Sequence, residues 1–437
     1  MVTNTTLSSG RVKQQTVTRN TLALIGDFFF FSVGFAFFDP LVVVPAFVNE
    51  FTGSELLIGA LAALRVLMVT VPQIWAASML EAQPRMKPLL MWSSFWGRLL
   101  IIVLAGAVLL WVETQTWLVI LILAFTVMVF YTSEGLNGVS WPALVGKVIP
   151  EGSRGRFFGF GQFLSSIGAA AAGYFVNRVL ALEQIARADR WALLFLCGFV
   201  ALMLSVVSMF FIREKPVARE SDKVDVRRSL KKMWQYLRED RWLRRVIIAQ
   251  LTMSTASAVF VFLIVRVRQV VPEAADMIGT FVVLQSVGSA VAALVGGLLV
   301  DKVGSWAAIR AASSAHILVL LAATVAGLGI GSLPLYFLAF FFMGFAVGAS
   351  WWSFTAFMLD FASEERRPIY LAAGGILASV TVLSPLIAGA LFEALLPEVV
   401  FGGAGVLAVV GFVLVWRLRQ ALPSADAVAV ASGAASP

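Results

Sequence analysis

Gly296-Gly297-Leu298-Leu299-Val300-Asp301-Lys302-Val303-Gly304, followed six residues on by Arg310, is the stretch on which the reading of this chain turns. An apolar run ends at Val300, a short charged turn interrupts it, and a second apolar run opens at Trp306. In a soluble protein Asp-Lys-x-Gly is an ordinary turn. Its meaning here depends on the apolar runs around it.

Those runs dominate the chain. Of 437 residues, 60% are hydrophobic and only 13% charged, with a mean hydropathy of +0.90. Soluble domains carry roughly 25% charged residues, so most of this surface must face lipid. The net charge of +8 does not point to nucleic acid, because the basic residues sit in loops, as they do beside a membrane. One cysteine, Cys197, and one histidine, His316, both within apolar runs, supply neither a disulfide framework nor a metal site. There is no Ser-His-Asp set, HExxH motif or phosphate loop, so no enzyme chemistry is expected and no cofactor.

A helix crossing the hydrocarbon needs about 20 apolar residues. Twelve such spans are expected, at 20–48, 55–80, 88–111, 116–145, 156–180, 190–212, 246–271, 277–300, 306–329, 333–361, 368–393 and 397–417. Residues 1–19 and 418–437 read as polar tails, with no cleavable leader before the first span. Lys and Arg set the orientation. With the N-terminus inside, 26 of the 33 fall on the inner side. Arg178, Arg187, Arg190, Arg266 and Arg268 lie outside, and Arg65 and Arg98 lie within spans. Both termini are therefore expected in the cytoplasm of a multi-pass protein of the cell (inner) membrane.

The chain divides at residues 213–245, its only long internal charged segment. Val226, Leu230, Met233, Trp234 and Leu237 keep helical spacing there among Arg and Lys, which predicts an amphipathic helix on the inner surface. The flanking units, 20–212 and 246–417, repeat each other. Gly138-Val139-Ser140-Trp141 recurs as Gly348-Ala349-Ser350-Trp351, and each copy precedes an Arg-bearing charged turn and a span rich in small residues. The opening stretch has a degenerate twin too, with Glu81 in the place of Asp301, Ala77 of Gly297 and Pro84 of Gly304.

Twelve spans, two parallel six-span halves, a basic connector and Gly297-x-x-x-Asp301-Lys302-x-Gly304-x-x-x-x-x-Arg310 between the eighth and ninth spans resemble the major facilitator superfamily over nearly the whole chain. The resemblance implies an all-α membrane fold, secondary transport by alternating access, and a cytoplasmic latch. In that latch Asp301 would cap the eleventh span near Pro368, and Arg310 would pair with an acid at the end of the tenth, Asp360 by position. Two features depart from the family: the fourth span has no arginine, and the fifth has Gly168 and Gly173 but no Gly-Pro motif. Direction of transport is thus not set by motif.

Charges inside spans are costly and mark cavities or ion pairs. Asp27, Asp39, Arg65, Arg98 and Glu134 are such charges, all in the first half. Asp27 and Glu134 are the candidates for proton coupling, the competing reading being permanent salt bridges to Arg65 or Arg98. Asp39 lies near the outer end, at a depth where water reaches it. By the family's architecture the first, fourth, seventh and tenth spans line the path. Arg65, Arg98, Asn137, Gln250, Trp351 and Trp352 are then the candidate substrate contacts. So aromatic a wall suits an amphipathic or aromatic solute better than a sugar, whose hydroxyls need dense pairing. Proton-coupled export of such a solute is the expected activity, by a chain acting as a monomer. Uptake of a small organic anion on Arg65 and Arg98 is the alternative, and beyond it a non-transporting relative that binds a pigment, lipid or partner protein. His316, in a ninth span placed away from the path, is expected to be packed and hydrogen-bonded.

Overall fold

A computed structural model describes residues 3–81, 84–216, 226–329, 332–361, 370, 374 and 379–419. Among them there are only helices and connecting turns. The first half comprises α1 (Thr3–Phe37), α2 (Val43–Thr52), α3 (Glu55–Glu81), α4 (Lys87–Trp111), α5 (Thr116–Val148), α6 (Glu151–Leu180) and α7 (Arg187–Phe210). The connector helix α8 (Val226–Glu239) leads into α9 (Arg241–Ser257), α10 (Leu263–Val270), α11 (Ile278–Val303), α12 (Ser305–Gly327), α13 (Ser332–Phe361), α14 (Ser384–Ala394) and α15 (Pro397–Arg419). Among the described residues eleven helices are long and apolar enough to cross a membrane, and 380–394 forms a shorter apolar helix. That shorter helix closes the expected eleventh span, most of which, Pro368 included, lies outside the described residues.

Differences from the expected boundaries have local causes. The first span is two helices, because Asp39-Pro40 breaks it. The Asp39 carboxylate accepts the amides of Leu41 and Val42 through Oδ1, at 2.8 Å each, at the start of α2. Asp39 is therefore buried and structural rather than hydrated. The polar stretch before residue 20 continues α1 as helix from Thr3. The seventh span starts at Arg241, where Asp240 caps α9 by accepting from the Trp242 and Leu243 amides, and a 3-10 turn at Ala258–Phe262 divides it.

Both halves pack by one plan. Their first and last spans pair (α1 with α7, α9 with α15), as do the third and fourth (α4 with α5, α12 with α13) and the second and fourth (α3 with α5, α11 with α13). The internal repetition of the sequence is thus a repetition of packing. Among the described residues the largest contacts between the halves are α3 with α14 and α6 with α11, and α2 also meets α10 and α11. The contact of α6 with α11 is backbone to backbone: a side chain on Gly279 would strike the Gly173 carbonyl, and Asn177 next to it donates to Thr280 Oγ1 at 2.6 Å.

Gly304 shows why the opening stretch needs its glycine. Its φ of +107° lies where a side chain is strained. There its N–H caps α11 on the Leu299 and Val300 carbonyls, at 3.0 Å each, and the chain reverses into α12. Among the other latch positions, Gly297 is helical, the side chains of Asp301 and Asp360 lie outside the description, and Lys302 is exposed. Arg310 stacks on Trp416, 3.7 Å from the ring centroid, and donates to the Trp416 carbonyl at 2.9 Å. The latch-side arginine is thereby anchored to the last span.

Candidate functional site

Four helices of the first half place a polar cluster in the middle of the bundle. α1 carries Asp27, α4 carries Ser93, Ser94 and Arg98, α5 carries Glu134 and Asn137, and α7 carries Ser205. On α5 the spacing of Glu134, Asn137 and Trp141 at i, i+3 and i+7 keeps all three on one face.

The contacts form a chain. Arg98, 2% exposed, donates through Nη1 to Ser205 Oγ at 2.7 Å and to the Leu202 carbonyl at 3.2 Å. Ser205 in turn donates to Asp27 Oδ1. The other Asp27 oxygen accepts from Trp141 Nε1 at 2.7 Å. Arg98 Nη2 lies 3.7 Å from Glu134 Oε1. Asn137 ties this carboxylate to α4: its Nδ2 donates to Glu134 Oε1 and to Ser94 Oγ, while its Oδ1 accepts from Ser93 Oγ. Both contacts of Glu134 fall on Oε1. The cluster thus holds two carboxylates against one guanidinium.

It forms one wall of a cavity of about 760 Å³, a size that takes a drug-sized ligand. Asp27, Arg98, Glu134, Asn137, Gln73 and Gln162 supply its polar lining, and Phe28, Phe31, Trp141, Phe158 and Phe163 its aromatic lining. Phe28 and Phe158 pack on Trp141 with ring centroids 5.7 and 6.1 Å away. The opposite wall, as described, is Ala290, Ala293, Leu294 and Val300 of α11, apolar throughout. The cavity reaches the end of the bundle that carries α8, since Leu90, Met209 and Val300 at that end also line it.

The far end is sealed by bonds between the halves. Arg268 donates to Glu50 at 3.0 Å and to the Ala46 carbonyl at 3.2 Å. Glu393 accepts from Ser54 Oγ and the Leu56 amide, at 3.0 Å each. Gln285 Nε2 donates to Asp39 Oδ2 at 3.3 Å. Among the described residues, these bonds join the halves at the end away from the connector, and the cavity extends toward the connector end.

Sequence-predicted residues separate on this geometry. Asp27, Glu134, Arg98 and Asn137 come together at the cavity. Arg65 does not join them: it sits two turns of α3 beyond Gln73, under the seal. There it lines a separate space of about 20 Å³ with Phe38 and Tyr131, its guanidinium 5.9 Å from the Tyr131 ring centroid. Gln250 of α9 is absent from the described cavity lining, and its buried Oε1 has no hydrogen-bond partner. The side chains of Trp351 and Trp352 are outside the description. Lining from the second half comes instead from α11, the eighth span. Ser205, Ser93 and Ser94 have no sequence signal beyond being hydroxyls in apolar spans. His316 is buried, its Nδ1 2.8 Å from the Ala312 carbonyl and its ring against Phe260, away from the cavity. No group of three or more His, Cys, Asp and Glu that could hold a metal occurs among the described residues.

A profile of the Major Facilitator Superfamily matches residues 28–381, with a second match over 273–435. The chain belongs to the major facilitator superfamily. No curated protein matches it. Solved structures share its fold at low identity. A mutant form of the nucleoside transporter NupG gives a TM-score of 0.69 at 12% identity, covering 91% of this chain and 99% of that one. A bacterial homologue of the iron transporter ferroportin in its inward-facing state gives 0.64 at 14%, covering 93% and 98%. A bacterial metal transporter gives 0.60 at 16%, covering 92% and 98%. Family and fold make the protein a multi-pass membrane transporter of the secondary type.

Proposed function

We propose that the protein exports an amphipathic or aromatic solute in exchange for protons, with Asp27 and Glu134 as the coupling carboxylates. The observation that carries this reading is the charge balance of the cavity wall. Asp27 and Glu134 share one cation, Arg98, at a depth where an uncompensated charge costs several kcal/mol. A proton on either carboxylate leaves the trio neutral. With the connector end assigned to the cytoplasm by the excess of Lys and Arg there, the cavity loads from the inside and its carboxylates give up their proton to the same side. Closure of the connector end and opening of the Glu50–Arg268 seal would then expose them outside for reprotonation.

The organic-anion alternative has less support. Arg98 is less accessible than Glu134 and committed to Ser205 and Leu202, and Arg65 is under the seal, so the two do not converge on one ligand. The mixed wall of amides and stacked rings also suits a nucleoside, and the likeness to NupG makes nucleosides a second class to screen.

The test is transport in proteoliposomes across an imposed pH gradient, screened with aromatic amphiphiles and nucleosides, with Asp27→Asn and Glu134→Gln beside the wild type. Gradient-driven flux should be lost in both variants while solute exchange without a gradient persists. Undiminished gradient-driven flux in both would remove the proton-coupling role.

A further inference from the structure

We infer that the transported solute is a lipophilic organic cation, whose positive charge takes the place of the proton at the Glu134–Asp27 wall. This rests on the transport reading above and specifies its substrate. Three observations carry it.

The first is which charge the cavity sees. Glu134 keeps 18% of its side chain exposed while Arg98, its ion-pair partner, keeps 2%. Both line the cavity, and the carboxylate is the more accessible of the two. Among the described residues Glu134 Oε1 takes both contacts and Oε2 takes none. The second is charge count. Glu134 on α5 faces Asp27 of α1 and Arg98 of α4; the described lining from α3 and α6 has no charge, its polar groups being the amides of Gln73 and Gln162, α7 gives Met209, and α11 gives apolar residues. The described wall is thus one positive charge short. The third is the aromatic frame. Phe28 and Phe158 pack at an angle against Trp141, which bonds to Asp27, and all three rings line the cavity. Ring faces attract a cation, indole most of all, and gain strength where water is excluded. The apolar α11 wall accommodates hydrocarbon and offers no counter-charge to an anion.

One positive charge fills this deficit, either as a proton or as an alkylammonium or phosphonium group. A solute and a proton that compete for one carboxylate cannot occupy it together, and that competition is what an exchanger needs. An anion would face Glu134 and the ring π-faces, both repulsive to it.

The experiment is equilibrium binding to the purified full-length protein in detergent, by calorimetry. The probes are tetraphenylphosphonium, tetraphenylborate as the anion of the same shape, and triphenylphosphine oxide as a neutral aryl control. Tetraphenylphosphonium should bind at least tenfold more tightly than the other two. Its binding should weaken as pH falls, and should release protons, seen as a dependence of the heat on buffer ionisation. Glu134→Gln should weaken it about tenfold or more and Trp141→Leu by roughly tenfold, whereas Glu113→Gln, outside the cavity in an exposed pair with Arg187, should leave it unchanged. Equal affinity for the borate, or Glu134→Gln binding like the wild type, overturns the inference. Unfolding midpoints of the variants, measured in parallel, show that any loss is not loss of fold. Failure here is separable from failure of transport: a protein that moves neutral solutes against a pH gradient but ignores the phosphonium keeps the function and loses this substrate class.

Discussion

Ser205 is the residue on which the polar cluster hinges. It is fully buried, donates to Asp27 Oδ1 and accepts from Arg98 Nη1 at 2.7 Å. Ser205→Ala removes both bonds while leaving only a small hole. Hydrogen bonds between helices in a membrane average about 0.6 kcal/mol and reach about 1.7, and those to charged groups lie at the upper end, about 1.5–3 in soluble proteins. Neither charge is wholly stranded, since Leu202 still holds Arg98 and Trp141 still holds Asp27. That trims two bonds of about 1.5 kcal/mol each to an expected loss of about 2 kcal/mol. Reversible unfolding in SDS–detergent mixtures measures it. Ser208→Ala is the reference, because the Ser208 hydroxyl bonds only to the Leu204 carbonyl of its own helix, and it should cost below about 0.5 kcal/mol. Combining Ser205→Ala with Asp27→Asn should show coupling of about 1 kcal/mol. A Ser205→Ala protein as stable as Ser208→Ala, with no coupling, would refute the view that this hydroxyl joins the two charges.

Two further outcomes probe the seal and the hinge between the halves. Arg268→Ala removes the bonds to Glu50 and the Ala46 carbonyl. A half-buried pair of this kind is worth about 1 kcal/mol, so the population open at the far end should rise roughly fivefold. Alkylation of an Ala293→Cys reporter from the far side, in a Cys197→Ala background, measures this, and unchanged labelling would discount the seal. Gly279→Ala puts a methyl group onto the Gly173 carbonyl and should cost about 1–3 kcal/mol by overpacking, whereas Gly106→Ala, with nothing within 4 Å of its new methyl, should be neutral. Equal unfolding energies for the two would mean that α6 and α11 do not need this close approach.

Much of the architecture was legible because a bilayer leaves few choices. Apolar length marked the spans, and the repeated Gly-x-Ser-Trp segments fall in two sets of helices that pack alike. Gly304 could be assigned to a turn from sequence because a positive φ has few tenants. The site was only half legible. Depth along a span can be counted, and it separated Asp39, near the outer end, from Asp27, Arg98 and Glu134 further in. Face cannot be counted in a helix that is apolar all round. Arg65 and Arg98 therefore looked equivalent, although one sits under the seal and the other in the cavity wall. Ser205 was invisible for another reason: its partners are 178 and 107 residues away, and a serine in an apolar helix satisfies its own backbone as readily as a neighbour. Glu214 is the same case at the connector end. It lies just after the sixth span and looks like one more loop charge, yet it caps the start of α4 through the Met86 and Lys87 amides and pairs with Lys147 at 3.0 Å.

The division of labour between the halves follows from where the charges are. Every described ionisable group at the cavity belongs to α1, α4 or α5, and the second half presents small apolar side chains from α11. On the proposed reading the first half supplies the charge of the described wall and the second an apolar face. Alternating access must run between two states of similar energy, since a ligand shifts the equilibrium only by its difference in affinity. The seal meets that condition. Its links, Arg268 to Glu50 and Ala46, Glu393 to Ser54 and Leu56, and Gln285 to Asp39, are polar and mostly half-exposed, each worth on the order of 1 kcal/mol or less. These bonds border the close apolar packing of α3 on α14, so they adjust a closure that helix packing also supports.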